Sequence, residues 1–181
     1  MSDEVLVAYA TRHASTRGIA AEIAEVLRAA GVKARLESIE EVGDLRAYRA
    51  AVIGCSVFGG EWMPGAHAFL AAHERQLEEM PVWLFASGPS EPLPEGATVE
   101  VSRELVTVIE RIGPRDIALF AGSLQPHHLG AGLRVLAKLS RSAFVDHRDR
   151  PAIERWARHV ADDLGTPGGV PGGAPGEVKE S

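Results

Sequence analysis

The stretch Tyr9-Ala10-Thr11-Arg12-His13-Ala14-Ser15-Thr16-Arg17 lies between an apolar run and the first segment with helical spacing. Its three hydroxyls, its backbone amides and the positive end of the following helix dipole converge where an anion would sit. A phosphomonoester needs several donors around its terminal oxygens, and this loop can supply them without a metal. A plainer reading also holds: Ser15 or Thr16 suits the N-cap of the helix that follows. The chain contains neither G-x-x-x-x-G-K-[ST] nor G-x-G-x-x-G, so the P-loop and the dinucleotide-binding turn are set aside.

Two further segments carry candidate chemistry. Gly54-Cys55-Ser56-Val57-Phe58-Gly59-Gly60-Glu61-Trp62-Met63-Pro64 joins two glycines to the aromatic faces of Phe58 and Trp62. Glycines let a backbone approach a flat ligand closely or flip a peptide toward it. Trp62 reads equally as an aromatic packed on the domain surface. Ala86-Ser87-Gly88-Pro89-Ser90 presents a second small, backbone-rich edge. Together these edges suit an isoalloxazine ring, planar and rimmed with hydrogen-bonding groups. Cys55 ends an apolar strand with no base beside it and reads as a small core residue rather than a nucleophile. As the only cysteine, it excludes a disulfide framework and any multi-cysteine zinc site. His127-His128 could move protons near neutral pH, but no carboxylate or third histidine nearby makes them metal ligands, and no metal is expected. Asp146, His147, Arg148 and Asp149 read as a polar turn.

The elements that must position these loops follow from hydropathy patterning. A nearly continuous apolar run predicts a strand buried on both faces at Val5–Ala10, further short apolar runs predict strands at Ala50–Cys55, Pro81–Ser87 and Ile117–Gly122, and Val32–Ser38 is a more polar edge strand. Helical spacing predicts helices over Arg17–Ala30, Ala66–Glu79, Arg103–Ile112 and Pro151–Leu164. Strands alternating with helices make a doubly wound, five-stranded parallel α/β sheet of order 2-1-3-4-5 with helices on both faces. Ligands bind such sheets at the carboxyl ends of the strands, which is where the three loops fall. A phospho-receiver of the same topology needs acidic residues at the ends of strands one and three, where Tyr9-Ala10 and Gly54-Cys55 stand.

The 181 residues form one domain over 1–164, followed by a Gly/Pro-rich tail, 165–181, expected to be disordered. The apolar runs are too short to span a bilayer and no signal peptide is evident, so a soluble cytoplasmic protein is expected. A net charge of −6 and a pI near 5.6 exclude a general nucleic-acid binder. That charge is unevenly spread: −7 over residues 1–126, +4 over 127–160 and −3 over 161–181.

All three loops resemble those of the flavodoxin family. Thr11–Thr16 is similar to the family's T-x-T-G-x-T phosphate loop, and more closely to a T-R-x-G-x-T-R variant, with Ala14 where glycine is usual. That variant, Val52-Ile53-Gly54-Cys55-Ser56 with Trp62 downstream, and Ala121-Gly122-Ser123-Leu124 before an insertion over 125–144, resemble the menaquinone-dependent protoporphyrinogen IX dehydrogenase group. The resemblance covers about residues 4–164. It implies a flavodoxin-like fold and flavin mononucleotide (FMN) as cofactor. Thr11, Arg12, His13, Ser15 and Thr16 would then hold the phosphate. Ser56, Val57, Phe58, Gly59, Gly60 and Trp62 would line one face and edge of the ring, and Ser87 and Gly88 another. Family carriers often stack a further aromatic from the fourth-strand loop; residues 87–96 hold none, which leaves a ring face for a flat substrate or quinone.

Within the insertion, Leu129, Leu133 and Leu136 share one helical side, and Arg134, Lys138 and Arg141 another. Such a basic amphipathic helix can lie on an anionic membrane or meet propionate-like carboxylates, and it can equally pack its leucines on the domain. The resemblance implies an oxidoreductase of haem biosynthesis, carrying electrons from a porphyrinogen-like donor through flavin to a quinone; the basic segment 129–144 would let this cytoplasmic protein sit peripherally at the inner membrane face. Two alternatives remain: a diffusible flavodoxin electron carrier, and a flavin-free regulatory domain.

Overall fold

The computed structural model describes residues 3–10, 14–58, 61–62, 64–88, 101–120, 130–132, 134–135 and 150–165, with backbone alone at 14, 15, 57, 58, 61, 62 and 64. In chain order the elements are β1 (Glu4–Ala10), α1 (Ala14–Ala29), β2 (Lys33–Ser38), β3 (Ala50–Phe58), β4 (Glu61–Trp62), α2 (Pro64–Ala72), α3 (Glu74–Glu78), β5 (Val82–Ser87), α4 (Arg103–Ile112), β6 (Asp116–Phe120) and α5 (Arg150–Gly165), with a single 3₁₀ turn at Leu45–Ala47.

Five strands run parallel in the order β2-β1-β3-β5-β6. Counting only these five in chain order, that is 2-1-3-4-5, the expected doubly wound sheet. Because successive side chains on a strand point to opposite faces, each central strand feeds two cores. Leu6, Ala8, Ala51, Ile53, Leu84, Ile117 and Leu119 pack with Phe69, Leu70, Leu77, Leu105 and Ile109 of α2, α3 and α4. Val5, Val7, Val52, Trp83, Phe85 and Phe120 pack on the other face with Ile19, Ile23, Leu27, Ile153, Trp156 and Val160 of α1 and α5. A sheet covered on both sides needs near-continuous apolar strands, which is why β5 is buried at every position. Lys33 and Arg35 keep the β2 edge polar, with Arg35 paired to Glu37.

Local signals set the element ends. Ser102 caps α4 by accepting from the Leu105 amide at 3.2 Å, and Gly113 closes it at φ +61, a left-handed conformation that costs glycine little. Gly31, at φ +85, plays the same part after α1. The expected helix 66–79 is divided between α2 and α3 at His73, whose backbone (φ −110, ψ 12) leaves the helical region. No glycine or proline marks that break. β3 runs three residues past its expected end at Cys55; β6 is described over Asp116–Phe120, and the last two residues of the strand expected to end at Gly122 lie outside the described residues. Gly165 belongs to α5, one residue beyond the expected end of the domain. The remainder of the tail, 166–181, and the insertion apart from 130–132 and 134–135 lie outside the described residues.

Candidate functional site

The carboxyl ends of β1, β3 and β5 and the start of α1 meet at one edge of the sheet. α1 begins at Ala14, with no acidic residue in its first turn, so the positive end of its dipole is not neutralised from within the helix. Ala14, where a glycine is usual, already has helical backbone, and among the described residues no non-glycine has a positive φ. The backbone here therefore does not demand a glycine. The same start settles the capping alternative for Thr16: it lies inside the first turn rather than before it.

Thr16 is fully buried, and its hydroxyl lies 2.7 Å from that of Ser87, the last residue of β5, itself 1% exposed. Ser87 is in register with Ser56 on β3, one strand nearer the sheet centre. Ser56 is 6% exposed, and among the described residues its hydroxyl has no hydrogen-bond partner. Three hydroxyls from three elements thus gather at this edge, two bonded to each other and one orphaned. A buried polar atom without a partner costs about 1–3 kcal/mol, so Ser56 has an unmet demand that a polar ligand edge can fill. Gly88 follows, buried, its amide donating to the Phe120 carbonyl at 2.9 Å. That amide continues the β5–β6 ladder and is not free to meet a ligand.

Beneath Ser56 the backbone is sealed. A side chain at Gly54 would coincide with the ring of its register partner Phe85, so the absence of a Cβ lets that ring lie across β3. Phe85, Phe120 and Trp156 form a cluster with ring centroids 5.9–6.2 Å apart. Cys55 is 2% exposed among apolar neighbours, and burial pushes its thiol well above the ordinary range. This agrees with a packing role and leaves little thiolate for nucleophilic chemistry. At the opposite end of β6, fully buried Asp116 accepts from the Ile117 amide at 2.9 Å and from Trp156 Nε1 at 2.8 Å. It fastens α5 to the sheet, away from the site edge.

Of the expected cofactor residues, Thr16, Ser56, Ser87 and Gly88 are brought together. Ser15 lies in the first turn of α1. Val57, Phe58 and Trp62 lie on a short antiparallel ribbon in which Val57 pairs with Trp62 and Phe58 with Glu61. Thr11, Arg12, His13, Gly59 and Gly60 lie outside the described residues. Hydropathy spacing carries no trace of the ribbon, although Gly59-Gly60 is a dipeptide that favours two-residue hairpins. The Thr16–Ser87 contact has no local signal. Among the described residues no three His, Cys, Asp or Glu side chains group as a metal site, and no helix is long and apolar enough to cross a membrane.

A doubly wound sheet with hydroxyls and a helix start at its carboxyl edge defines a class of nucleotide- and flavin-type binding folds. The chain belongs to the flavodoxin-domain family, whose model matches residues 6–148. No curated protein sequence matches it significantly. Among solved structures it is similar to rubredoxin oxygen:oxidoreductase from the anaerobe Desulfovibrio gigas (16% identity, TM-score 0.57), covering 90% of this chain and 36% of that one. The chain therefore spans about a third of that protein's length. It is also similar to a two-electron reduced Megasphaera elsdenii flavodoxin (18%, 0.57), covering 87% of this chain and 98% of that one. A cysteine-to-serine mutant of a Pseudomonas aeruginosa flavodoxin gives 15% and 0.57, with 89% and 98% covered. At these identities the likeness is one of fold.

Proposed function

We propose that this chain binds FMN at the carboxyl edge of its sheet and acts as an FMN-dependent oxidoreductase. The observation that carries the reading is the orphaned hydroxyl of Ser56, buried beside the Thr16–Ser87 pair. A helix start without acidic residues stands at the same edge. Membership in the flavodoxin-domain family supports it. The loop residues Thr11, Arg12, His13 and Ser15, with Thr16, hold the phosphate. The orphaned Ser56 hydroxyl meets a polar edge of the ring, Val57, Phe58, Gly59, Gly60 and Trp62 line that face, and Ser87 and Gly88 stand at another edge. When bound, FMN supplies the electron-transfer chemistry; the chain supplies placement, a dry floor and electrostatics.

The finer reading rests on the loop variant and the basic insertion. Electrons come from a porphyrinogen-like donor and pass to a quinone, and the cations of 129–144 meet the donor's carboxylates or an anionic membrane surface. An open ring face, with no aromatic in 87–96, fits a flat donor better than a protein-docking carrier.

Titrating the purified chain with FMN tests the first step. Quenching of FMN fluorescence and a yellow chromophore retained on gel filtration are expected, and their absence would remove the reading in favour of a flavin-free domain. For the second step, protoporphyrinogen IX should bleach the FMN-loaded protein without oxygen, and a menaquinone analogue should restore the colour. Retention of colour with the donor would leave an electron carrier as the better description.

A further inference from the structure

The Thr16 and Ser87 hydroxyls lie 71 residues apart in the chain and 2.7 Å apart in space, both shut away from water. A hydroxyl has one proton to donate and lone pairs that accept. A phosphate dianion only accepts, so Thr16 can serve it only by donating its own proton. The remaining bond then has one direction: the Ser87 hydroxyl donates to Thr16 Oγ1, and Thr16 donates outward. With the Ser87 bond in place, the Thr16 rotamer is held and its proton is directed away from Ser87. Among the described residues no other group bonds the Thr16 hydroxyl.

We infer that the Ser87 hydroxyl is a positioning residue for the phosphate end of the cofactor, acting through Thr16, although its position on β5 places it beside the ring. This rests on the FMN reading above. It separates two parts of one residue: the main chain of Ser87 stands at the ring edge, while its side chain serves the far end of the ligand. The strand β5 and the first turn of α1 are thereby coupled through one hydrogen bond.

The test compares FMN with riboflavin, which carries the same ring without the phosphate. S87A should weaken FMN binding by about three- to ten-fold, the worth of one ordinary hydrogen bond, and leave riboflavin binding unchanged. T16V should remove the same phosphate-dependent preference, and the S87A/T16V double variant should lose little more than either alone, because the two act as one unit. T16S, which keeps the hydroxyl, should retain the preference. S87C, with a weak donor of similar size, checks the Ser87 result independently of the alanine cavity, and thermal melts of the ligand-free variants check folding. Equal weakening of FMN and riboflavin in S87A and S87C, or additive losses in the double variant, would overturn the inference. Failure of the unaltered chain to bind either ligand removes the FMN reading itself, a distinct outcome.

Discussion

Phe85 on β5 lays its ring across Gly54 on β3, occupying the space where any other residue would carry a Cβ. The ring has no room to retreat, because Phe120 and Trp156 hold it at 6.0 and 6.2 Å. Gly54→Ala should therefore cost about 1–3 kcal/mol of stability, the usual range for overpacking a filled core. Urea denaturation would register this as a lower midpoint at unchanged slope. An unaltered midpoint would mean that Phe85 can repack.

Ser56 gives a prediction with opposed signs. Its buried hydroxyl has no partner among the described residues, so Ser56→Ala should stabilise the ligand-free protein by about 1 kcal/mol. The same change should weaken FMN binding, since the group that needed a partner is gone. Melting the ligand-free protein and titrating with FMN read the two effects separately. A variant that loses stability without ligand contradicts the first half, and one that binds FMN as tightly contradicts the second.

The Trp156 indole donates at 2.8 Å to the fully buried carboxylate of Asp116. Trp156→Phe keeps most of the ring and removes that donor. A loss of about 1.5–3 kcal/mol is expected, the range for a hydrogen bond to a charged group. FMN affinity should change little, because Asp116 begins β6 and the site lies at the other end of the strands. A fall in affinity exceeding that in stability would point instead to coupling between the two ends.

Cys55 predicts a pH dependence. Burial raises its folded pKa above the ordinary 9.0, so the folded state keeps its proton where the unfolded chain releases one. The unfolded state then binds fewer protons, and stability falls as pH rises above about 9. Below that pH this contribution is fully present. Cys55→Ala should flatten the alkaline slope by up to about 1.4 kcal/mol per pH unit, the linkage value for one proton. In the folded protein a thiol reagent should label Cys55 no faster than the chain opens. Rapid labelling at neutral pH would contradict its burial.

The order of elements along the chain was readable because burial leaves a periodic trace. A continuous apolar run marks Val5–Ala10 as a strand covered on both faces, the run Pro81–Ser87 marks β5 to within one residue, and Ser102 and Gly113 bracket α4 at its observed bounds, Arg103–Ile112. The division of helix 66–79 left no such trace, since Ala66, Phe69, Leu70 and Leu77 keep helical spacing straight across His73.

The candidate site divides the same way. Its three loops could be placed by sequence, since a doubly wound sheet presents its carboxyl ends together whatever the side chains are. The hydroxyls of the first loop marked Thr16 as a group near an anion, and the family resemblance implied Ser56 and Ser87 beside a ring. Only the tertiary structure decided that Thr16 and Ser87 bond to each other, that Ser56 is left alone, and that Gly54 yields its space to Phe85. Periodicity records whether a residue faces a core, a property of its own segment. Which atoms meet depends on how two crossovers bring strands into register, and that is settled by packing both cores at once.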